Sequence, residues 1–201
     1  MFDQLKDLQT VEKTIAALQS NGITACCVET GEEAKKIVLA LVPEGAEVMT
    51  MTSITLDTIG LAQELNESER YDSVRNRLKS INRETQNGEM QKMGAAPAWA
   101  IGSVHAVTEH GEVLVASNTG SQFAAYAYGA QHVIWIVGTQ KIVKNRDEAL
   151  KRIYEYAFPL EDDRAQKAYG VGSNVSKLLI ISKEVNPRRL TVVFVNEKLG
   201  F

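Results

Sequence analysis

GSVHAVTEHGEVLVASNTGSQ, residues 102–122, is the stretch whose reading decides the fold. Two segments rich in β-branched residues, Ser103–Val107 and Val113–Ala116, flank the turn Glu109-His110-Gly111, so a strand pair is predicted. The second segment runs into Asn118-Thr119-Gly120-Ser121, a small polar loop that opens a helix. Thr119 and Gln122 have capping-box spacing. The stretch thus sets a carboxylate on a turn and a cluster of small hydroxyls and amides at a helix N-terminus. That combination suits an anionic or polyol ligand held beside an acid or base.

Outward from this stretch, helical and extended patterns alternate. Leu5, Leu8, Val11, Ile15 and Leu18 recur at helical spacing up to Asn21-Gly22, and Ile23–Val28 follows as a short strand. Thr30 and Glu33 form a capping box ahead of Ala34, Ile37, Val38 and Leu41, and Ala46–Met51 reads as the next strand. Strand, helix, strand makes a parallel pair with a right-handed crossover the default. Downstream, a helix is expected over Gln122–Tyr128, closed by Gly129. A buried strand over His132–Val137 comes next, then a helix over Asp147–Phe158 ended by Pro159. Two final strands, Leu178–Ile181 and Thr191–Asn196, are joined through Asn186-Pro187. No repeat or linker interrupts the pattern, so residues 1–201 are expected to form one α/β domain with a three-layer core.

Leu61 to Lys92 is polar, with Val74, Leu78, Ile81 and Thr85 as a thin helical stripe, and predicts a solvated helix. Arg70, Arg75, Arg77, Lys79 and Arg83 are interleaved with Glu67, Glu69, Asp72 and Glu84, the pattern of a salt-bridged surface. The formal charge of −3 gives no reason to expect a nucleic-acid partner. The longest apolar run, Val133–Val137, is far too short to span a bilayer. MFDQLKDLQT has neither a basic n-region nor an apolar h-region, so a cytoplasmic protein without membrane association is expected. Cys26 and Cys27 are adjacent, read as small hydrophobes in a strand, and no Cys-x-x-Cys or His/Cys cluster points to a metal.

Two strand-to-helix junctions carry small polar residues, Met51–Thr55 and Ser117–Ser121. Helix N-termini leave unpaired N–H groups and a partial positive charge, and ligands of parallel sheets bind at the carboxyl ends of the strands. Ser53, Thr55, Asn118, Thr119 and Gly120 are therefore ligand-binding candidates, with Gly102 and Ser103 at the start of the strand pair. Lys141, just past the strand ending at Gly138, is placed to meet a ligand phosphate. Glu109 is the candidate catalytic carboxylate, as acid, base or nucleophile. His105 is expected in the core and His110 at the turn tip. No P-loop, GxGxxG or Ser-His-Asp arrangement occurs, and no cofactor is expected.

Residues 102–122 resemble the lactate-utilisation (LUD) domain family, as do YGAQHVIWIVGTQKIVKNRDEALKRIYEYAFPLEDDR, the C-terminal TVVFVNEKLGF and Ser53-Ile54-Thr55-Leu56. The resemblance runs from about Glu47 onward; the residues before it match only the family's helical start. It implies the NagB/RpiA/CoA-transferase-like fold, a Rossmann-like, mainly parallel sheet with helices on both faces and a small antiparallel addition. The family includes the lactate-utilisation proteins B and C, which take part in oxidising L-lactate to pyruvate. The resemblance thus implies a role in lactate or organic-acid metabolism, with iron–sulfur proteins of lactate oxidation as partners. In some relatives a cysteine cluster follows the Pro-x-x-x-x-Arg stretch; here Pro159–Arg164 is followed by AQKAYGVGSNVSKLL, so no iron–sulfur role carries over. In CoA transferases of the wider superfamily a Ser-Glu-Asn-Gly type turn supplies a nucleophilic Glu, and Thr108-Glu109-His110-Gly111 is similar, with His in place of Asn. Three readings stay open: binding of a small anion at the sheet edge, a transferase- or sugar-phosphate-isomerase-like enzyme using Glu109, and a non-catalytic subunit of a lactate-oxidising complex. Self-association into a homo-oligomer stays open too.

Overall fold

The computed structural model describes residues 2–82 and 84–201. Helix α1 (Leu8–Ser20) starts at Asp7, whose carboxylate accepts the Thr10 N–H at 2.9 Å, and β1 (Thr24–Val28) follows. Helix α2 (Gly31–Leu41) opens on the expected capping box: Thr30 Oγ1 accepts the Glu33 N–H at 3.2 Å, and the Glu33 carboxylate accepts the Thr30 N–H at 3.4 Å. Strand β2 (Glu47–Thr50) leads into two short helices, α3 (Ile54–Thr58) and α4 (Leu61–Glu67).

The solvated helix expected from Leu61 to Lys92 is broken into α4, strand β3 (Asp72–Ser73), α5 (Val74–Lys79) and α6 (Asn87–Ala95). The chain turns at Glu69 (φ +58°), buries Tyr71, and pairs Asp72-Ser73 with Glu47-Val48 of β2. Sheet pairing overrides the helical stripe, and of its four residues only Val74 is fully buried. The charge interleaving works out as ion pairs: Arg70 binds Glu44 at 2.9 Å, and Arg77 binds Glu47 and, at 3.4 Å, Asp72. Arg75 turns inward instead, and Arg83 lies outside the described residues.

The opening stretch crosses between two sheets. Strand β4 (Trp99–Gly102) ends in the main sheet, the chain bends, and β5 (Ala106–Thr108) begins the small one. Ser103–Val107 is thus not the single strand its composition predicts. Strand β6 (Val113–Ser117) returns antiparallel to β5 across a turn closed by the Gly111 N–H on the Thr108 carbonyl at 2.8 Å. A π turn, Ala125–Gly129, stands where an α-helix is expected over Gln122–Tyr128. Strand β7 (His132–Gly138) runs through a 3₁₀ turn, Thr139–Lys141, into β8 (Ile142–Val143).

Helix α7 (Arg146–Arg152) passes through a second π turn, Ile153–Ala157, into α8 (Phe158–Tyr169). Pro159 therefore does not end the helix. Proline removes one i→i−4 hydrogen bond, and here the freed carbonyl belongs to the exposed Glu155, inside a turn where the ladder is already shifted by one residue. Strands β9 (Lys177–Ile181) and β10 (Leu190–Val195) complete the chain.

The main sheet has the order β1-β10-β7-β4-β2-β3 and is parallel throughout. β1 and β2 are parallel but not neighbours, because β10, β7 and β4 lie between them. β7 sits inside the sheet and buries both faces, which is why it reads as a continuous apolar run. Val133, Trp135 and Val137 face one core with Val11 and Leu18 of α1; Ile134 and Ile136 face the other, with Val38 of α2 and Leu61 and Leu65 of α4. The free thiols of Cys26 and Cys27 sit half-buried on the edge strand β1, and burial pushes both pKa values up.

The small sheet, ordered β8-β5-β6-β9, is mixed rather than antiparallel, because β8 joins β5 in parallel. One face of it, through Val107, Val113 and Val115, shares the α1 core; the other, through Ala106, Leu114 and Val143, packs on Ala149 of α7 and Ile153. The architecture is thus α/β with helices on both faces of the main sheet, the small sheet inserted between that sheet and α7.

Arg189 fastens the first π turn. Buried to 5% exposure, it donates to the carbonyls of Ala125, Tyr126 and Ala130 at 2.9–3.0 Å and pairs with Glu184 at 2.8 Å. Arg189→Met leaves three carbonyls and the Glu184 carboxylate without these donors. Urea unfolding is expected to show a loss of about 3–5 kcal/mol, as for one partner removed from a buried ion pair.

Candidate functional site

Where β2, β4 and β7 end, their connections and the end of β6 surround a cleft of about 1040 Å³. Its deepest cation is Lys141, in the 3₁₀ turn after β7 and only 2% exposed. The ammonium donates to Thr55 Oγ1 at 3.2 Å, Ser103 Oγ at 3.1 Å and the Val104 carbonyl at 3.2 Å. Both hydroxyls pass their own protons on, Thr55 to the Leu199 carbonyl at 3.2 Å and Ser103 to the Ile136 carbonyl at 2.7 Å, and so offer lone pairs to Lys141. Among the described residues no carboxylate pairs with it. Burial, and then the charge of Arg152, push its pKa down to about 7. An ammonium that titrates there can hold an anion when charged and take a proton when neutral.

His105 forms the adjoining wall. Its Nδ1 accepts the Ala116 N–H at 3.1 Å, so the neutral ring carries its proton on Nε2. Burial, then the charges of Lys141 and Arg152, hold its pKa down at about 3. Arg152 is itself fully buried and donates to the His105 carbonyl; burial lowers its pKa to about 10. At the mouth stand Arg75, Asp57 and the Arg164–Glu161 pair, whose two contacts are both 2.7 Å.

The structure brings Ser53, Thr55, Ser103, Asn118, Thr119, Gly120 and Lys141 to this one cleft. The two polar junctions do face each other, but only Ser53 follows a strand of the parallel sheet; Asn118 follows β6 of the mixed sheet. The hydroxyl of Ser53 makes no capping bond, whereas in the other loop Ser117 Oγ accepts the Gly120 N–H at 2.9 Å and Thr119 Oγ1 accepts the Ser121 N–H, not that of Gln122, at 3.3 Å. Asn118 Oδ1 accepts from Ser176 at 3.1 Å, and the Thr119 carbonyl accepts from Lys177 at 2.6 Å, which ties the loop to the β9 end.

Gly102 lies behind the wall rather than on it. A Cβ there would stand 1.9 Å from Tyr126 Oη, so the glycine admits the ring. Gly200, which the sequence does not mark, has φ +60° and would carry a Cβ 2.6 Å from Thr55 Oγ1; only glycine lets the C-terminal segment pass this close to Lys141. Glu109 does not face the cleft. Its turn leans on the end of α1, where Asn21 Nδ2 donates to the His110 carbonyl at 3.0 Å, and Glu109 Oε2 accepts from Lys13 at 2.7 Å. His110 is exposed at the tip.

Sequence reading assigned Arg75 to a salt-bridged surface and missed Asp57, Glu161 and Arg164. All four lie on helical segments with exposed-looking charge patterns, and only the chain's path turns them toward the cleft. No helix of the described residues is long and apolar enough to cross a membrane. No group of three or more His, Cys, Asp or Glu side chains among the described residues is arranged to hold a metal.

A parallel sheet covered on both faces, with a polar cleft at its carboxyl edge, defines an α/β protein whose cleft lies where such sheets place their ligand sites. The model of the LUD domain matches residues 11–195, and the chain belongs to the LUD domain family. It is similar to a DUF162 family protein from Deinococcus radiodurans, known from a crystal structure at 1.70 Å resolution, with a TM-score of 0.59 and 14% identity; the match covers 96% of this chain and 100% of that one. At that identity the likeness shows the fold. No curated protein sequence matches the chain.

The lowered pKa of Lys141 carries a stability signature. Between about 7 and its ordinary value of 10.5 the unfolded chain holds the proton and the folded chain does not, so Lys141 makes stability rise with pH across that window. Lys141→Met removes an unpaired buried charge and is expected to be neutral or stabilising at pH 7. That advantage should shrink as pH rises toward 10.5, which urea unfolding at a series of pH values measures.

Proposed function

We propose that this LUD-domain protein binds a small organic acid or its phosphorylated derivative in the cleft, with Lys141 as the cationic anchor, as part of lactate or organic-acid metabolism. The observation that carries the reading is a fully buried ammonium on the cleft wall whose three hydrogen-bond partners are all neutral. An isolated charge in a low-dielectric wall is costly, and an anion entering the cleft supplies the missing opposite charge. The His105 Nε2–H and the free hydroxyl of Ser53 add neutral donors on either side. Family membership supports the metabolic setting. The transferase and isomerase readings both run through Glu109, which is paired with Lys13 outside the cleft, and anion binding does not need it.

Sulfate, whose charge is constant over the range, tests this by titration calorimetry between pH 6 and 9. Binding to the charged amine takes up a proton above pH 7, so affinity is expected to fall by up to about tenfold per pH unit there. Lys141→Met should lose binding, and Glu109→Gln should keep it. Sulfate affinity that ignores pH, or survives in Lys141→Met, would refute the assignment.

A further inference from the structure

Lys141 is not the only unpaired cation at this cleft. Arg75, at the start of α5, donates from Nε to the Thr50 carbonyl at 2.8 Å, from Nη2 to the same carbonyl, and from Nη2 to Thr52 Oγ1 at 3.3 Å. These bonds fix the plane of the guanidinium against the end of β2, and none of them involves Nη1. Among the described residues Arg75 makes no ion pair within 4.0 Å, unlike Arg70 and Arg77 on either side of it; the Asp57 carboxylate acts on it only through its charge. Arg164 is different, since its fork is matched by Glu161. Arg75 also separates the main cleft from a second hollow of about 410 Å³, and both hollows reach Thr52, Asp57 and Tyr169. The guanidinium is therefore half-buried where the two hollows meet, while Lys141 is fully buried in the cleft wall.

One segment anchors both cations. Arg75 is bonded to Thr52 and Lys141 to Thr55, three residues on, so the two anchoring Cα atoms are at most about 11 Å apart. The same cleft is lined by the Asp57 carboxylate, an acceptor, and by the hydroxyl of Ser53, which makes no capping bond. We propose that Arg75 is a second anion subsite of the cleft, and that the ligand carries two acidic groups at opposite ends of a hydroxylated chain several carbons long. A polyol acid phosphate or an extended hydroxy-dicarboxylate has this chemistry; a ligand with a single acidic centre fills only the Lys141 end. Arginine suits the outer position because its planar fork holds a carboxylate or phosphate in two-point fashion while it remains charged at every physiological pH.

The inference rests on Lys141 as the inner anchor, and its test separates the two. Gluconate and 6-phosphogluconate differ only in the second acidic group, and calorimetry compares them on the intact chain at pH 6.5. The wild type is expected to bind 6-phosphogluconate at least tenfold more tightly than gluconate. Arg75→Gln should bring that ratio to about one while leaving gluconate affinity as it was, and Arg75→Lys should restore part of it. Lys141→Met should weaken both ligands. Equal affinities in the wild type, or an undiminished ratio in Arg75→Gln, overturn the second subsite. So does sulfate binding at Lys141 while 6-phosphogluconate and the four- to seven-carbon α,ω-dicarboxylates show none. Loss of sulfate binding dependence on Lys141 defeats the underlying reading instead, and with it this one.

Discussion

An ammonium sealed from bulk water must find its acceptors inside the protein, and the site around Lys141 is organised by that constraint. Its three partners come from two separate parts of the chain: Thr55 from α3, and Ser103 and Val104 from the bend between β4 and β5. Each hydroxyl is oriented by a further carbonyl, Leu199 for Thr55 and Ile136 for Ser103. One charge thereby ties together the connections after β2 and β4, the end of β7 and the C-terminal segment. The approach of that segment depends on Gly200, where a side chain would meet Thr55. A charge so placed is a poor stabilising device, because desolvation outweighs what neutral acceptors return. Its cost is intelligible if the charge serves a ligand.

The bend that supplies Ser103 and Val104 also explains the architecture. β4 stops at Gly102, where Tyr126 fills the space a side chain would take. The chain leaves that sheet and enters the small one at Ala106. At the crossing, Arg152 donates to the His105 carbonyl and the Ala116 N–H donates to His105 Nδ1, so α7 and β6 hold the bend from both sides. The cleft is the space left where the two sheets diverge. Two π turns border it, contributing Tyr126 from one and Ile153 and Ala157 from the other. Such turns shift the hydrogen-bond ladder by one residue and are common where a site must be shaped.

Much of this was legible residue by residue. The capping box at Thr30 and Glu33, the apolar run of β7 and the strand pair around Gly111 each follow from local chemistry, and each is present in the fold. The small polar residues at Ser53, Thr55, Ser103, Asn118, Thr119 and Gly120 were legible as binding candidates by residue type, and the chain brings them together with Lys141. Glu109 was conspicuous for the same local reason, a carboxylate on a turn, yet the turn leans on α1 and delivers it to Lys13. Arg75 was hidden because its neighbours Arg70 and Arg77 form surface ion pairs, and one pattern covers all three.

Sequence by itself therefore determined the α/β class, the central buried strand, the family and the inventory of polar groups at strand ends, because these depend on periodicity, capping and residue type over a few positions. Only the tertiary structure decided strand order, the mixed pairing of the small sheet, the split of the Leu61–Lys92 region, the inward turn of Arg75 and the outward placement of Glu109. Those outcomes depend on contacts between residues tens of positions apart. Such contacts are set by which faces bury together and which buried polar groups find partners, and no short stretch of sequence encodes either.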